Sequence, residues 1–329
     1  MFFIENMEEK QMKKILLLIM AAAMILVGCG TEAQPEKNAG EKTAQEQKSG
    51  FPVTVTDALD EEVVIEEKPE KIISLIPSNT EIIYALDSGD AIVGVTDFDN
   101  YPEEAMSKEK IGGMEFNIEK IISLKPDLVL APGSTVDTVK EGLQQLKDAG
   151  IDVVVVNDAQ SFEEVYQSIE MIGQAIGEQE KADELIENMK NSFAELKKKA
   201  EAIKPEEQKS VFVEVSPAPE IYTAGKNTFI NEMLELIGAK NAAGDMDGWL
   251  KVDPEAIVER NPDVIVTTYG YYTEKPIEQV LARQGWNNVK AVKDQQVFDV
   301  HSDLVTRSGP RLAEGAEELA KAIYPDVFK

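Results

Sequence analysis

The chain has 329 residues, 43% of them hydrophobic and 29% charged, enough apolar material for a buried core in two compact units. Acidic residues outnumber basic ones 61 to 33, and the formal charge of -28 repels phosphate backbones, which argues against nucleic-acid binding. One cysteine, Cys29, and one histidine, His301, leave no internal disulfide and no multi-histidine metal site.

Lys13 and Lys14 precede an apolar run over 15–27 that ends in Leu26-Val27-Gly28-Cys29. A basic flank and a run of this length read as a signal peptide, because the run is short for a membrane span. Small residues before the cysteine resemble a lipobox. That predicts a signal peptide over 1–28 and a lipidated Cys29; the other reading is a free cysteine that follows an apolar segment. The acidic stretch over 1–11 is unusual for such a leader, and translation is expected to begin at Met7 or Met12. Residues 29–50 are polar with no apolar period, a flexible tether whose roughly 20 residues would span on the order of 25 Å.

An internal repeat organises the rest. Glu119-Lys120-Ile121-Ile122-Ser123-Leu124-Lys125-Pro126-Asp127-Leu128-Val129-Leu130-Ala131 recurs as Glu255-Ala256-Ile257-Val258-Glu259-Arg260-Asn261-Pro262-Asp263-Val264-Ile265-Val266-Thr267. In both, Glu opens a short helix, Pro-Asp stops it, and a continuous apolar run follows, as expected of a buried parallel strand. A second echo lies upstream of each copy. Asn79-Thr80 and Asn227-Thr228 are expected to open helices that end near Gly89 and at Gly238.

Each half therefore reads as an alternating α/β unit. Strands are predicted over 72–76, 91–95, 128–131 and 153–156, then over 211–215, 264–267 and 296–300. Between the halves, residues 178–203 carry Leu185, Met189, Phe193 and Leu196 at three- and four-residue spacing, the stripe of one amphipathic helix. About 25 helical residues span roughly 37 Å, enough to cross between lobes. The expected fold is α/β: two Rossmann-like lobes, 51–177 and 205–329, joined by one long rigid helix over 178–204. The ligand cleft is expected between the lobes, with small lobe movements rather than wide hinge closure.

At this point the sequence resembles the helical-backbone class of ABC-importer substrate-binding proteins, which serve cobalamin, ferric siderophores and haem. The resemblance runs from Ile72 to the C-terminus. It is carried by Ile73-Ser74-Leu75-Ile76-Pro77-Ser78-Asn79-Thr80-Glu81, Val93-Gly94-Val95-Thr96, Asn100-Tyr101-Pro102, Asn117-Ile118-Glu119, Lys125-Pro126-Asp127-Leu128-Val129-Leu130 and Arg307-Ser308-Gly309-Pro310-Arg311. Within the class it is most similar to cobalamin-binding members, through Ser-Asn-Thr-Glu, Tyr101-Pro102 and Trp249 six positions before Glu255. The resemblance implies a cleft aromatic at Phe98, where that subfamily has tyrosine, a cleft tryptophan at Trp249, and an Asp–Arg pair at Asp303 and Arg307. A further tryptophan of that subfamily has no counterpart near Gly113-Met114.

A corrinoid or iron chelate presents a broad, partly apolar face with a polar rim, so its cleft needs flat aromatics and a few fixed polar groups. Trp249 sits in Gly244-Asp245-Met246-Asp247-Gly248, a loop rather than a core stretch; partial burial at a lobe edge is the alternative. Tyr269, Tyr271 and Tyr272 follow the strand ending near Thr267, which in an open α/β sheet places them at the ligand-binding ends; the alternative is an ordinary exposed loop. Phe98 follows a predicted strand in the same way, or is a core ring. Asp303 and Arg307 follow the last strand, where they either bind cargo amides or pair with each other. Arg311 opens the last helix and reads as structural. His301 lies at the same strand end, where its imidazole could coordinate cobalt or haem iron, or serve as a polar loop residue.

Glu119 and Glu255 match in spacing, and the resemblance implies that they dock into arginine pockets of a dimeric permease served by an ATPase; favourable placement in a helix first turn is the alternative. No Walker loop, G-x-S-x-G elbow or metal-ligand cluster suggests an enzyme. The expectation is thus an extracytoplasmic, lipid-anchored monomer without a cofactor. Its cargo would be a cobalt corrinoid or, alternatively, a ferric siderophore or haem; a surface enzyme or adhesion module is the reading from another class.

Overall fold

The structure, a computed structural model, describes residues 50–329; the leader, Cys29 and nearly all of the tether lie outside the described residues. In chain order the first half contains β1 (Val53–Thr56), β2 (Glu62–Ile65), β3 (Ile72–Ser74), helix α1 (Pro77–Ala85), β4 (Ile92–Val95), β5 (Glu109–Lys110), α2 (Ile118–Leu124), β6 (Leu128–Pro132), α3 (Val136–Asp148), β7 (Asp152–Val156) and α4 (Phe162–Ile176). Helix α5 (Gln179–Ala200) follows. The second half contains β8 (Ser210–Glu214), β9 (Tyr222–Ala224), α6 (Phe229–Leu236), β10 (Lys240–Asn241), β11 (Trp249–Lys251), α7 (Pro254–Arg260), β12 (Val264–Thr267), α8 (Pro276–Leu281), α9 (Lys290–Lys293), β13 (Val297–Asp299), α10 (Ser302–Val305) and α11 (Leu312–Ile323).

Two parallel sheets form, in the orders β5-β4-β3-β6-β7 and β10-β8-β12-β13. Superposing the repeat in register makes β6 the counterpart of β12, and then β4-β3-β6-β7 and β10-β8-β12-β13 are one topology used twice. The Pro-Asp signal has a physical basis in both copies. Lys125 and Asn261 end α2 and α7 in the left-handed region, with φ of 51° and 45°. Asp127 Oδ2 then accepts from the Glu70 and Lys71 N–H groups, and Asp263 Oδ2 from Ser210 N–H. Each aspartate pins the start of the neighbouring strand, β3 or β8, as its own strand begins.

The second echo behaves differently. Thr228 caps α6, its hydroxyl accepting from Asn231 N–H at 3.2 Å. Thr80 does not open α1, which begins at Pro77; its buried hydroxyl donates instead to Ser74 Oγ at 2.8 Å. Proline at the first helical position, whose missing N–H costs nothing there, sets the start instead.

Both sheets carry apolar side chains on both faces, as the uninterrupted runs require. The outer faces have separate cores, one around Ile73, Val129 and Leu146, the other around Phe212, Ile265 and Trp286. The inner faces share one core that runs from Ile72 and Leu130 through Ile186, Met189, Phe193 and Leu196 of α5 to Val213, Val266 and Leu319. Phe193 stacks on Phe162 of α4 with ring centroids 4.2 Å apart. At 22 residues α5 is about 33 Å long. It is a packed component of both lobes, and wide hinge motion would have to open a close-packed interior.

The remaining strands make two antiparallel ribbons, β1-β2 and β11-β9. In the second ribbon, β9 lies between β8 and α6, where the first lobe has no strand between β3 and α1, and β11 follows β10. Among the described residues, no helix is long and apolar enough to cross a membrane.

Candidate ligand-binding site

A cleft of about 500 Å³ lies where the carboxyl ends of the parallel strands of both lobes meet, the general position for ligands in open α/β sheets. One wall comes from the start of α1, at Ile76, Pro77 and Ser78, and from Asp158, Ala159 and Gln160 after β7. The other comes from Phe229, Trp249 and Tyr271, and from the segment between Ser302 and Ser308.

Trp249 lies on β11 rather than in a loop, at 37% exposure. Its ring meets Phe229 edge-on at 5.4 Å, and its Nε1–H donates to Gln160 Oε1 at 2.6 Å, tying the two walls together. Tyr271 is 61% exposed and stacks on His301, centroids 5.7 Å apart. Tyr272 packs edge-on against Tyr271 outside the cleft lining.

Tyr269 does not face the cleft. It is 1% exposed, and its hydroxyl donates to Glu214 Oε1 at 2.5 Å. Glu214 is itself fully buried and held by Arg283 through two hydrogen bonds of 2.7 and 2.8 Å. Burial, then the adjacent carboxylate, drives the Tyr269 phenol well above its ordinary pKa and keeps it a donor. Burial opposes the Arg283 charge, but Glu214 outweighs it and raises the guanidinium pKa. The tyrosine therefore anchors the loop that presents Tyr271. A buried glutamate 55 residues earlier turns the first aromatic inward, a partner invisible to local pattern.

Phe98 is 52% exposed in the loop after β4, outside the cleft lining. A Cβ built on Gly113 would lie 3.2 Å from its ring, so Gly113 packs closely against Phe98.

Asp303 and Arg307 pair with each other, Nη2 to Oδ1 at 3.0 Å, and both line the cleft. They are also tied to the first lobe: Asn100 Nδ2 donates to Asp303 Oδ2 at 2.8 Å, and Arg307 Nη1 donates to Asn100 Oδ1 at 3.0 Å. Arg307 Nη1 also contacts Glu81 Oε1 at 2.5 Å, and Arg311 grips the same carboxylate through Nε at 2.9 Å and Nη2 at 2.7 Å. Glu81 is 2% exposed. The Arg311 guanidinium lies 3.9 Å from the Tyr101 ring centroid. Burial disfavours its charge, and Glu81, then Asp303, more than compensate, so its pKa is raised.

Glu81 is the residue that sequence reasoning missed, although it closes the quoted Ser-Asn-Thr-Glu motif. Its signal was a carboxylate set directly against Ile82 and Ile83 in a helix, with two arginines four apart elsewhere. Gln160 and Phe229 were missed too, being unremarkable until the lobes close on Trp249.

His301 caps α10, Nδ1 accepting from Asp303 N–H at 3.2 Å, and half its side chain is exposed at the rim. Among the described residues no group of three His, Cys, Asp or Glu side chains could hold a metal ion. Glu119 and Glu255 occupy matching exposed positions in the first turns of α2 and α7. On the other side of the Glu81 cluster is a second hollow of about 620 Å³, rimmed by Asp87, Asp90, Glu104 and Glu314.

A two-lobed parallel α/β body with its cleft at the strand ends defines a solute-binding protein, and comparison with known proteins agrees. The periplasmic binding protein family matches residues 72–304, and the chain belongs to it. Members are solute-binding components of ABC transporters and are not enzymes. The chain is 54% identical over 311 residues to YvrC of Bacillus subtilis, an uncharacterised ABC transporter substrate-binding lipoprotein, covering 94% of this chain and 96% of that one. It is 27% identical to the cobalamin-binding protein of Halobacterium salinarum, covering 94% and 84%. A crystal structure of a possible iron-binding, periplasmic solute-binding protein from Staphylococcus epidermidis superposes with a TM-score of 0.70 at 41% identity, covering 78% of this chain and all of the other.

Proposed function

We propose that this substrate-binding protein captures a cobalt corrinoid and delivers it to an ABC permease dimer driven by its ATPase. The observation that carries the cargo is the asymmetric cleft: an indole, a phenol and the Asp303–Arg307 pair on one wall, and small residues, Gln160 and Asp158 opposite. Flat rings suit the apolar face of a macrocycle, and paired polar groups suit its amide rim. The Halobacterium relative, a cobalamin-binding protein, supports the same reading. Cys29 carries a lipid that holds the body outside the membrane, the tether gives it reach, and Glu119 and Glu255 register it on the permease. The name of the Bacillus relative as a lipoprotein supports that anchor.

Titration with cyanocobalamin, followed by absorbance and tryptophan quenching, is expected to saturate with a Kd below the micromolar range. Absence of saturable binding defeats the corrinoid reading. The second reading is an iron chelate, supported by the possible iron-binding Staphylococcus structure. For haem the distinguishing residue is His301, and His301→Ala should then remove the Soret shift of bound haem.

A further inference from the structure

The cleft has a charge balance that none of its lining residues explains alone. Asp158, Asp303 and Arg307 line it, and Glu81 and Arg311 stand directly behind Arg307. Three carboxylates against two guanidiniums leave one negative charge, counting His301 as neutral. Arg307 could offer an anion a strong, bidentate site, since guanidinium is the group best shaped for carboxylates and phosphates. Here both of its terminal nitrogens are already engaged, Nη1 by Glu81 and Asn100 and Nη2 by Asp303. Arg311, the second cation, is held by Glu81 through two of its nitrogens and covered by Tyr101.

A carboxylate at 2% exposure is costly to bury unless paired, and Glu81 is paired twice, by residues of the opposite lobe. Lobe packing alone needs no charge at this position. Its neighbours Ile82 and Ile83 are fully buried and apolar, so an aliphatic residue could fill such a site.

We propose that Glu81 is a positioning residue that sets cargo charge: by occupying Arg307 and Arg311 it makes the cleft select uncharged, amide-rich ligands and reject anionic ones. Arg307 then meets the cargo as a restrained donor beside Asp303. A ligand carboxylate must displace Glu81 or meet Asp303 and Asp158 uncompensated. The inference rests on the cleft reading above and narrows it to a ligand class.

The test compares cyanocobalamin with its monocarboxylic acid, which differ in one amide hydrolysed to a carboxylate, and neutral ferrichrome with anionic ferric citrate. Each is titrated into the full-length protein at low and high salt. The wild type should bind the neutral member of a pair more tightly. Glu81→Gln should move the neutral-to-anionic ratio toward the anion by on the order of tenfold, with new salt sensitivity. Arg311→Gln, which keeps the Glu81–Arg307 pair, should move it the opposite way. Glu81→Gln with Arg311→Gln, which frees Arg307 but removes the second cation, should give a ratio between those of the two single variants, whereas a packing role would weaken both members of each pair more than either single variant does. Equal weakening of both members, or an anion preference in the wild type, overturns the proposal. If corrinoids fail to bind but ferrichrome still exceeds ferric citrate, the corrinoid cargo falls and the charge selection stands. Binding of none of the four overturns both.

Discussion

The two lobes share a frame and divide the work. Where the first lobe goes from β3 straight into α1, the second adds β9 before α6 and pairs it with β11 after β10, and that ribbon supplies Trp249. The first lobe gives the cleft helix-start residues and short polar groups; the second gives the aromatics, Asp303 and Arg307. The register sharpens the contrast. Val211 pairs with Val264 as Ile72 pairs with Leu128, which makes Leu75 the counterpart of Glu214. Leu75 completes an apolar outer core; Glu214 at the same place recruits Arg283 and Tyr269 to brace a binding loop. A duplicated scaffold thus kept its hydrogen-bonding skeleton in both copies and concentrated its recognition chemistry in one.

The largest effect should come from breaking that difference. Glu214→Leu imposes the first lobe's solution on the second and strands a buried guanidinium, which should cost about 3–5 kcal/mol in urea unfolding. Adding Arg283→Met should recover most of the loss, because an apolar pair of similar volume suits the site. If the double variant is no more stable than the single one, the charge pair is not what distinguishes the lobes.

Next in size is the cleft itself. Trp249→Ala should weaken cyanocobalamin binding by about 2 kcal/mol, roughly thirtyfold, as removal of a central aromatic anchor does. Gln160→Ala, across the cleft, removes the partner of the indole N–H and a long hydrogen bond to Asp158 O, and should weaken binding by less than about 1 kcal/mol. Equal effects in calorimetric titration would contradict the unequal contribution of the two walls.

Local chemistry explains which parts of this were legible. The Pro-Asp repeat and the apolar strands read correctly because each signal acts within a few residues: a helix stop, a carboxylate pinning a strand start, a doubly buried run. Asn79-Thr80 and Asn227-Thr228 look alike locally, yet only Thr228 caps a helix, since Pro77 has already started α1. Tyr269 and Glu81 were beyond reach for another reason. Their partners lie 55 and more than 200 residues away: the folded second lobe turns the Tyr269 ring inward onto Glu214, and only contact between the lobes makes Glu81 a clamp rather than a solvated carboxylate. Thr228→Ala removes a hydroxyl cap and should cost about 1 kcal/mol, lowering the urea midpoint without changing its slope.

The smallest effects on the isolated protein should come from the one feature in which the lobes are equal. Glu119 and Glu255 sit at corresponding exposed positions of seven-residue helices, and neither has an ion-pair partner among the described residues. Glu119→Ala and Glu255→Ala should each change stability by less than about 0.5 kcal/mol and leave cyanocobalamin affinity untouched. Against a two-fold permease the two carboxylates would meet equivalent partners, so either variant should weaken binding to the reconstituted permease by a similar amount, about two- to fivefold. Because the two carboxylates sit on separate helices and share no ion-pair partner among the described residues, the double variant should lose the product of the two factors. A loss confined to one lobe would mean that the division of labour extends to the docking surface as well.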